Sequence, residues 1–105
     1  MNARERCLRL ANECVNLERV NSYGEPENNF GLIGQLWTTY LGTLVTCEDV
    51  ALMMILLKVA RQKTGSGKAD NLIDICGYSA CVYEMLEKEL ERQKRWNKGS
   101  EDETI

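Results

Sequence analysis

Three short stretches of this 105-residue chain carry side chains suited to chemistry. In Asp70-Asn71-Leu72-Ile73-Asp74-Ile75-Cys76-Gly77-Tyr78, Asp70 and Asp74 stand one helical turn apart, so their carboxylates share a face. Asp70 also suits a helix N-cap. Asp74 lies between two isoleucines, past the capping positions, where a carboxylate needs another reason. Lys58 and Arg61, three positions apart, close the most apolar run of the chain. Two such cations suit ligand phosphates or buried carboxylates, and equally the C-terminal end of a helix emerging into water. The third stretch, Tyr23-Gly24-Glu25-Pro26-Glu27-Asn28-Asn29-Phe30, is a polar loop entering a helix whose free N–H groups can receive a phosphate. A capped turn with Glu25 and Glu27 on the helix dipole accounts for it as well. Glu48 and Asp49 add two acids, making six candidates for Mg²⁺ with Glu25, Glu27, Asp70 and Asp74, of which two or three must converge. Gly77 costs its helix about 1 kcal/mol, which points to close approach of a second helix or a ligand. Tyr23 and Tyr78 can stack on a base or cap the core.

Composition removes several other chemistries. There is no His, so the commonest general base and transition-metal ligand are missing. With 13 basic and 16 acidic residues the net charge is -3, and no basic stripe suggests DNA or RNA. Cys7, Cys14, Cys47, Cys76 and Cys81 form no C-x-x-C pair and fall on helix stripes, so they read as small apolar residues. Their odd number, after a charged rather than apolar N-terminus, fits free thiols in a reducing cytoplasm. No apolar run spans a bilayer. Gly65-Ser66-Gly67-Lys68 resembles a phosphate loop only superficially: Ala69 stands where Ser or Thr is needed, and a helix rather than a strand precedes.

The elements that must position these residues are four helices. Cys7, Leu10, Ala11, Cys14, Val15 and Leu17 repeat at helical spacing between about Ala3 and Val20. A second helix opens at Pro26, carries Phe30, Ile33, Leu36, Trp37 and Tyr40, and ends at Gly42. Thr46 is the expected N-cap of the third, with Asp49 as a weaker capping-box partner than Glu. Its unbroken Val50–Leu57 run predicts the central, most buried helix. Asp49 and Lys58 point about 180° apart on it. A fourth helix starts near Asp70 and reaches about Trp96, longer than a compact bundle needs; its charged end projects into water or packs on a second subunit. Residues 1–98 are read as one helical domain and 99–105 as a disordered acidic tail.

The order of these motifs is informative as a set. The Tyr23–Phe30 loop, Leu36-Trp37 with Tyr40-Leu41-Gly42, the Asp49–Arg61 helix and Asp70–Asp74 with Gly77-Tyr78 resemble an uncharacterised family of small phage and prophage proteins. That family looks distantly related to the MazG-like all-α nucleotide pyrophosphohydrolases and similar to phage domains associated with nucleotide modification. The resemblance implies a helical bundle, dimers or tetramers, and Mg²⁺-dependent cleavage of a nucleoside triphosphate. Those enzymes carry E-x-x-E and E-x-x-D pairs on consecutive helices. Here the third helix offers only Glu48 and Asp49, and Asp70 and Asp74 are spaced by four.

The sequence reading is therefore an all-α, four-helix, MazG-like bundle with a long C-terminal helix, a homo-oligomer in the cytoplasm of an infected or lysogenic bacterium. It binds a nucleotide or nucleotide-derived molecule, not DNA, RNA or membrane. In its enzymatic form Asp70 and Asp74 are catalytic and hold Mg²⁺ with Glu25, Glu27, Glu48 and Asp49, while Tyr23, Gly24, Asn28, Lys58, Arg61 and Tyr78 hold the ligand. One alternative is a non-catalytic protein that sequesters a host immune nucleotide signal, an anti-defence role. Another is a helical adaptor between proteins.

Overall fold

Helix-favouring residues at 3- and 4-residue spacing, with a single Pro in the whole chain, leave little for a sheet to form from. A computed structural model describes residues 1–18, 26–65 and 68–103, and shows four helices and, among the described residues, no strand. Helix α1 spans Ala3–Glu13, with the Asn2 side chain accepting from the Glu5 N–H at 2.9 Å. It continues as a π-helical turn over Cys14–Glu18. Helix α2 spans Pro26–Leu41. Gly42, with φ of +73°, stops it in the left-handed conformation that a side chain would strain. The connecting residues are pinned to α2 by Thr38, whose Oγ1 accepts from the Val45 N–H at 2.8 Å and donates to the Val45 carbonyl at 3.3 Å.

Helix α3 spans Cys47–Thr64 and starts on a complete capping box. Thr46 Oγ1 accepts from the Asp49 N–H at 3.1 Å, and Asp49 Oδ2 accepts from the Thr46 N–H at 3.0 Å. Asp49 is thus as full a partner here as Glu would be. Helix α4 spans Ala69–Glu103 and carries the helical backbone past Trp96, because the last residues contain no Pro and Gly99 alone does not break it.

The core gathers Phe30 of α2, Val45 of the connection, Val50 and Ala51 of α3, and Tyr78, Cys81 and Met85 of α4. Helices α3 and α4 run antiparallel. Helix α2 lies across them with Phe30 against Tyr78, ring centroids 5.9 Å apart. Helix α1 and its π-helical turn lie on α4, and Gly77 lets the turn come close: a Cβ there would stand 3.1 Å from Val15 Cγ1. The close approach expected at Gly77 is that of a helix.

The expectation of a central, buried third helix is corrected. Only Val50 and Ala51 of α3 are buried, whereas Leu52, Met53, Leu56, Leu57 and Val59 are all exposed, Leu56 to 67%. A helix apolar all round needs neighbours all round, and one copy of this chain supplies them on one side only.

Candidate functional site

The α3–α4 hairpin has an apolar end and a polar end. Val50, Ala51, Cys81 and Met85 fill the first. Toward the connection between the helices the cross-helix contacts turn polar, because α3 places Lys58 and Gln62 on the edge that faces α4. Lys58 Nζ lies 2.8 Å from Asp74 Oδ2, with side chains 14% and 29% exposed. One turn further, Asn71 Nδ2–H donates to Gln62 Oε1 at 3.3 Å. The two residues singled out on different helices therefore meet, and they meet each other. Gln62 and Asn71 carry no chemical motif and gave no signal beyond lying in register with the charged pair across an antiparallel hairpin.

Asp74 also borders two recesses on the side of α4 where α1 lies. One is a narrow crevice with Cys14, Val15, Ile73, Gly77, Tyr78 and Cys81. The other is an open hollow of about 320 Å³ between Leu10, Cys14, Asp70, Ile73 and Asp74, at the lower end of the volumes that hold small ligands. Asp70 and Asp74 share its wall, as their spacing required.

The remaining candidates fall elsewhere. Arg61 is exposed one turn beyond Lys58. Asn28 is exposed in the first turn of α2. Tyr78 is buried against Phe30 and belongs to the core. Asp49 is engaged in the capping box, on the opposite face of α3 from Lys58, and Glu48 is half-buried beside it. Tyr23, Gly24, Glu25 and the Glu27 side chain lie outside the described residues.

Two of the six carboxylates weighed for Mg²⁺, Glu25 and Glu27, have side chains outside the described residues. Among the described residues no three His, Cys, Asp or Glu side chains come together as a group able to hold a metal. On the one wall where two carboxylates stand side by side, an ammonium already rests on Asp74 at salt-bridge distance.

None of the five cysteines is in a disulfide; Cys81 is buried and the other four are half-buried. Cys7 Sγ and Cys76 Sγ stand 4.0 Å apart where α1 crosses α4. Burial, then the hydrogen bond to Cys7, then the charge Cys7 would carry, push the Cys76 thiol above its ordinary range. That is the opposite of an activated nucleophile.

Among the described residues no helix is long and apolar enough to cross a membrane. Residues 6–86 match the family described as "Domain of unknown function (DUF6378)". The "Gene 55 protein" of Mycobacterium phage L5 is 39% identical over 93 residues, which cover 88% of this chain and 58% of that protein. The "Gene 55 protein" of Mycobacterium phage D29 is 36% identical over 91 residues, covering 87% of this chain and 60% of that protein. The chain thus spans about three-fifths of the length of these curated relatives. No solved structure matches it.

Proposed function

We propose that this chain, which belongs to the DUF6378 family of phage proteins, is a binding protein for a nucleotide-type ligand, held at the polar end of the α3–α4 hairpin. The observation that carries the reading is the Lys58–Asp74 pair. Two apolar side chains of similar volume would hold the helices together as well or better, since removing charges from water costs more than most ion pairs return. A half-buried ammonium kept at that cost, resting on the Asp74 carboxylate that borders the open hollow and one turn from the exposed Arg61, is a preorganised cation for a phosphate. Asp74 fixes where it stands until a ligand phosphate competes for it. The likeness of the motif order to MazG-like enzymes and to phage nucleotide-modification domains supports the ligand class.

The reading is one of binding without turnover. A phage protein of this kind would hold a host nucleotide signal and release it unchanged. Calorimetric titration with nucleoside triphosphates and cyclic dinucleotides, in EDTA and in Mg²⁺, tests it. The expected result is binding that needs no metal, with the nucleotide recovered intact, and an affinity loss of tenfold or more in Lys58→Met. A chain that binds none of these nucleotides at millimolar concentration overturns the reading.

A further inference from the structure

We propose that the open face of the α3–α4 hairpin, the face opposite α1 and α2, is the interface with a second copy of this chain. The contacts Lys58–Asp74 and Gln62–Asn71 fix which edges of the two helices face each other. Turning about 90° from those edges, away from the core, brings out Leu52, Leu56 and Val59 on α3 and Leu72, Leu86 and Leu90 on α4. Each of the six is between 44% and 67% exposed. Half-buried Ile55, Ile75 and Val82 lie on the same side, so the two rows form one apolar surface.

The area matches a stable dimer. With Tyr83, which is 65% exposed on the same stripe, these side chains leave about 700 Å² in water, close to the ~800 Å² per partner that a specific interface buries. The molecule is also extended, in part because α4 runs on to Glu103 beyond this face. It exposes 7869 Å², whereas a compact monomer of its 12.0 kDa exposes about 6,000 Å². Its radius of gyration is 17.0 Å, where about 13 Å is expected for 105 residues.

The chemistry of the face selects a second copy over a foreign partner. Subunit interfaces between identical chains are the most apolar of all, and six of the seven large exposed side chains named on this face are Leu or Val, with Tyr83 the seventh. Positions 79, 83, 86 and 90 of α4 alternate at four and three, the spacing at which helices pack side by side. A two-fold axis through the face would lay hairpin on hairpin as a four-helix layer, each α3 gaining the neighbours its apolar run requires.

The test reads mass without any nucleotide, so it stands apart from the ligand reading. Sedimentation of the unaltered chain at tens of micromolar should give twice 12.0 kDa. Leu56→Glu and Leu86→Glu should each give the protomer mass with wild-type helical circular dichroism. Leu36→Glu, on the outer face of α2, should leave the double mass unchanged. Hydroxyl-radical footprinting of the unaltered chain adds a measurement that no folding defect can confuse: Tyr83 and Leu86 should be shielded at high concentration and reactive at low, while Tyr40 reacts equally at both. A protomer mass for the unaltered chain, a dimer that survives both hairpin substitutions, or shielding of Tyr40 in place of Tyr83 overturns the proposal.

Discussion

Breaking the Lys58–Asp74 pair from one side should cost more than removing it altogether. At 2.8 Å the gross attraction of two unit charges is about 6 kcal/mol in a medium of effective dielectric constant near 20. Most of this is offset by the cost of taking both groups out of water. Exposed pairs retain about 0.2–1 kcal/mol, and unpairing a fully buried charge costs about 3–5 kcal/mol. With side chains 14% and 29% exposed, the pair stands between these limits. The expected coupling energy is about 2 kcal/mol. Lys58→Met alone strands the half-buried carboxylate, while Lys58→Met/Asp74→Leu strands nothing, so the double variant should be the more stable of the two. Urea unfolding of the four chains in the cycle at one fixed protomer concentration measures this, since self-association adds stability that depends on concentration. A chain of this size should show the single-variant loss as a midpoint shift of about 1–2 M. A coupling below about 0.3 kcal/mol, the level of a solvated surface pair, would refute the reasoning. Lys58 would then be neither a fixed tether between helices nor a preorganised cation for a ligand.

Other consequences follow from the same geometry. Thr46→Ala should lose about 1 kcal/mol, because the Asp49 N–H loses the Thr46 Oγ1 acceptor, while the Thr46 backbone N–H still donates to Asp49 Oδ2; thermal unfolding reads it. Gly31→Ala should gain about 0.5–1 kcal/mol by helix propensity, as nothing lies within 4 Å of the new Cβ. Gly34→Ala should instead lose about 1–2 kcal/mol, because its Cβ would stand 2.7 Å from the Val45 carbonyl oxygen and the backbone there must shift. Comparing the two melting temperatures separates packing from propensity. The raised Cys76 thiol is protonated to higher pH than a free cysteine. Its contribution to stability is complete below the unfolded thiol's ordinary range and is lost as pH climbs through the raised folded value. Peptide mapping after iodoacetamide at pH 8 should therefore find Cys76 alkylated more slowly in the folded chain than in urea.

Much of this protein was decided along the chain itself. Helical spacing, Pro26 opening α2, Gly42 closing it and Thr46 capping α3 are contacts within a few residues, so the local sequence specifies them without knowing the fold. The likeness to a small phage family was legible for a similar reason, since it rests on motifs in fixed order. Lys58 and Asp74 stood out singly, each as a charge where the helix pattern called for an apolar or capping residue.

What the charges do to each other was settled only by packing. The sequence set Lys58 beside Arg61 and Asp74 beside Asp70, and left open whether the two cations meet ligand phosphates or buried carboxylates. The register of the hairpin instead laid Lys58 on Asp74 and left Arg61 exposed. Tyr78 went to the core because Phe30, forty-eight positions earlier, folds against it. The run Val50–Leu57 could announce that α3 wants neighbours on every side, but not who provides them. Burial is a relation between surfaces, and a single copy of this chain covers α3 on one side only.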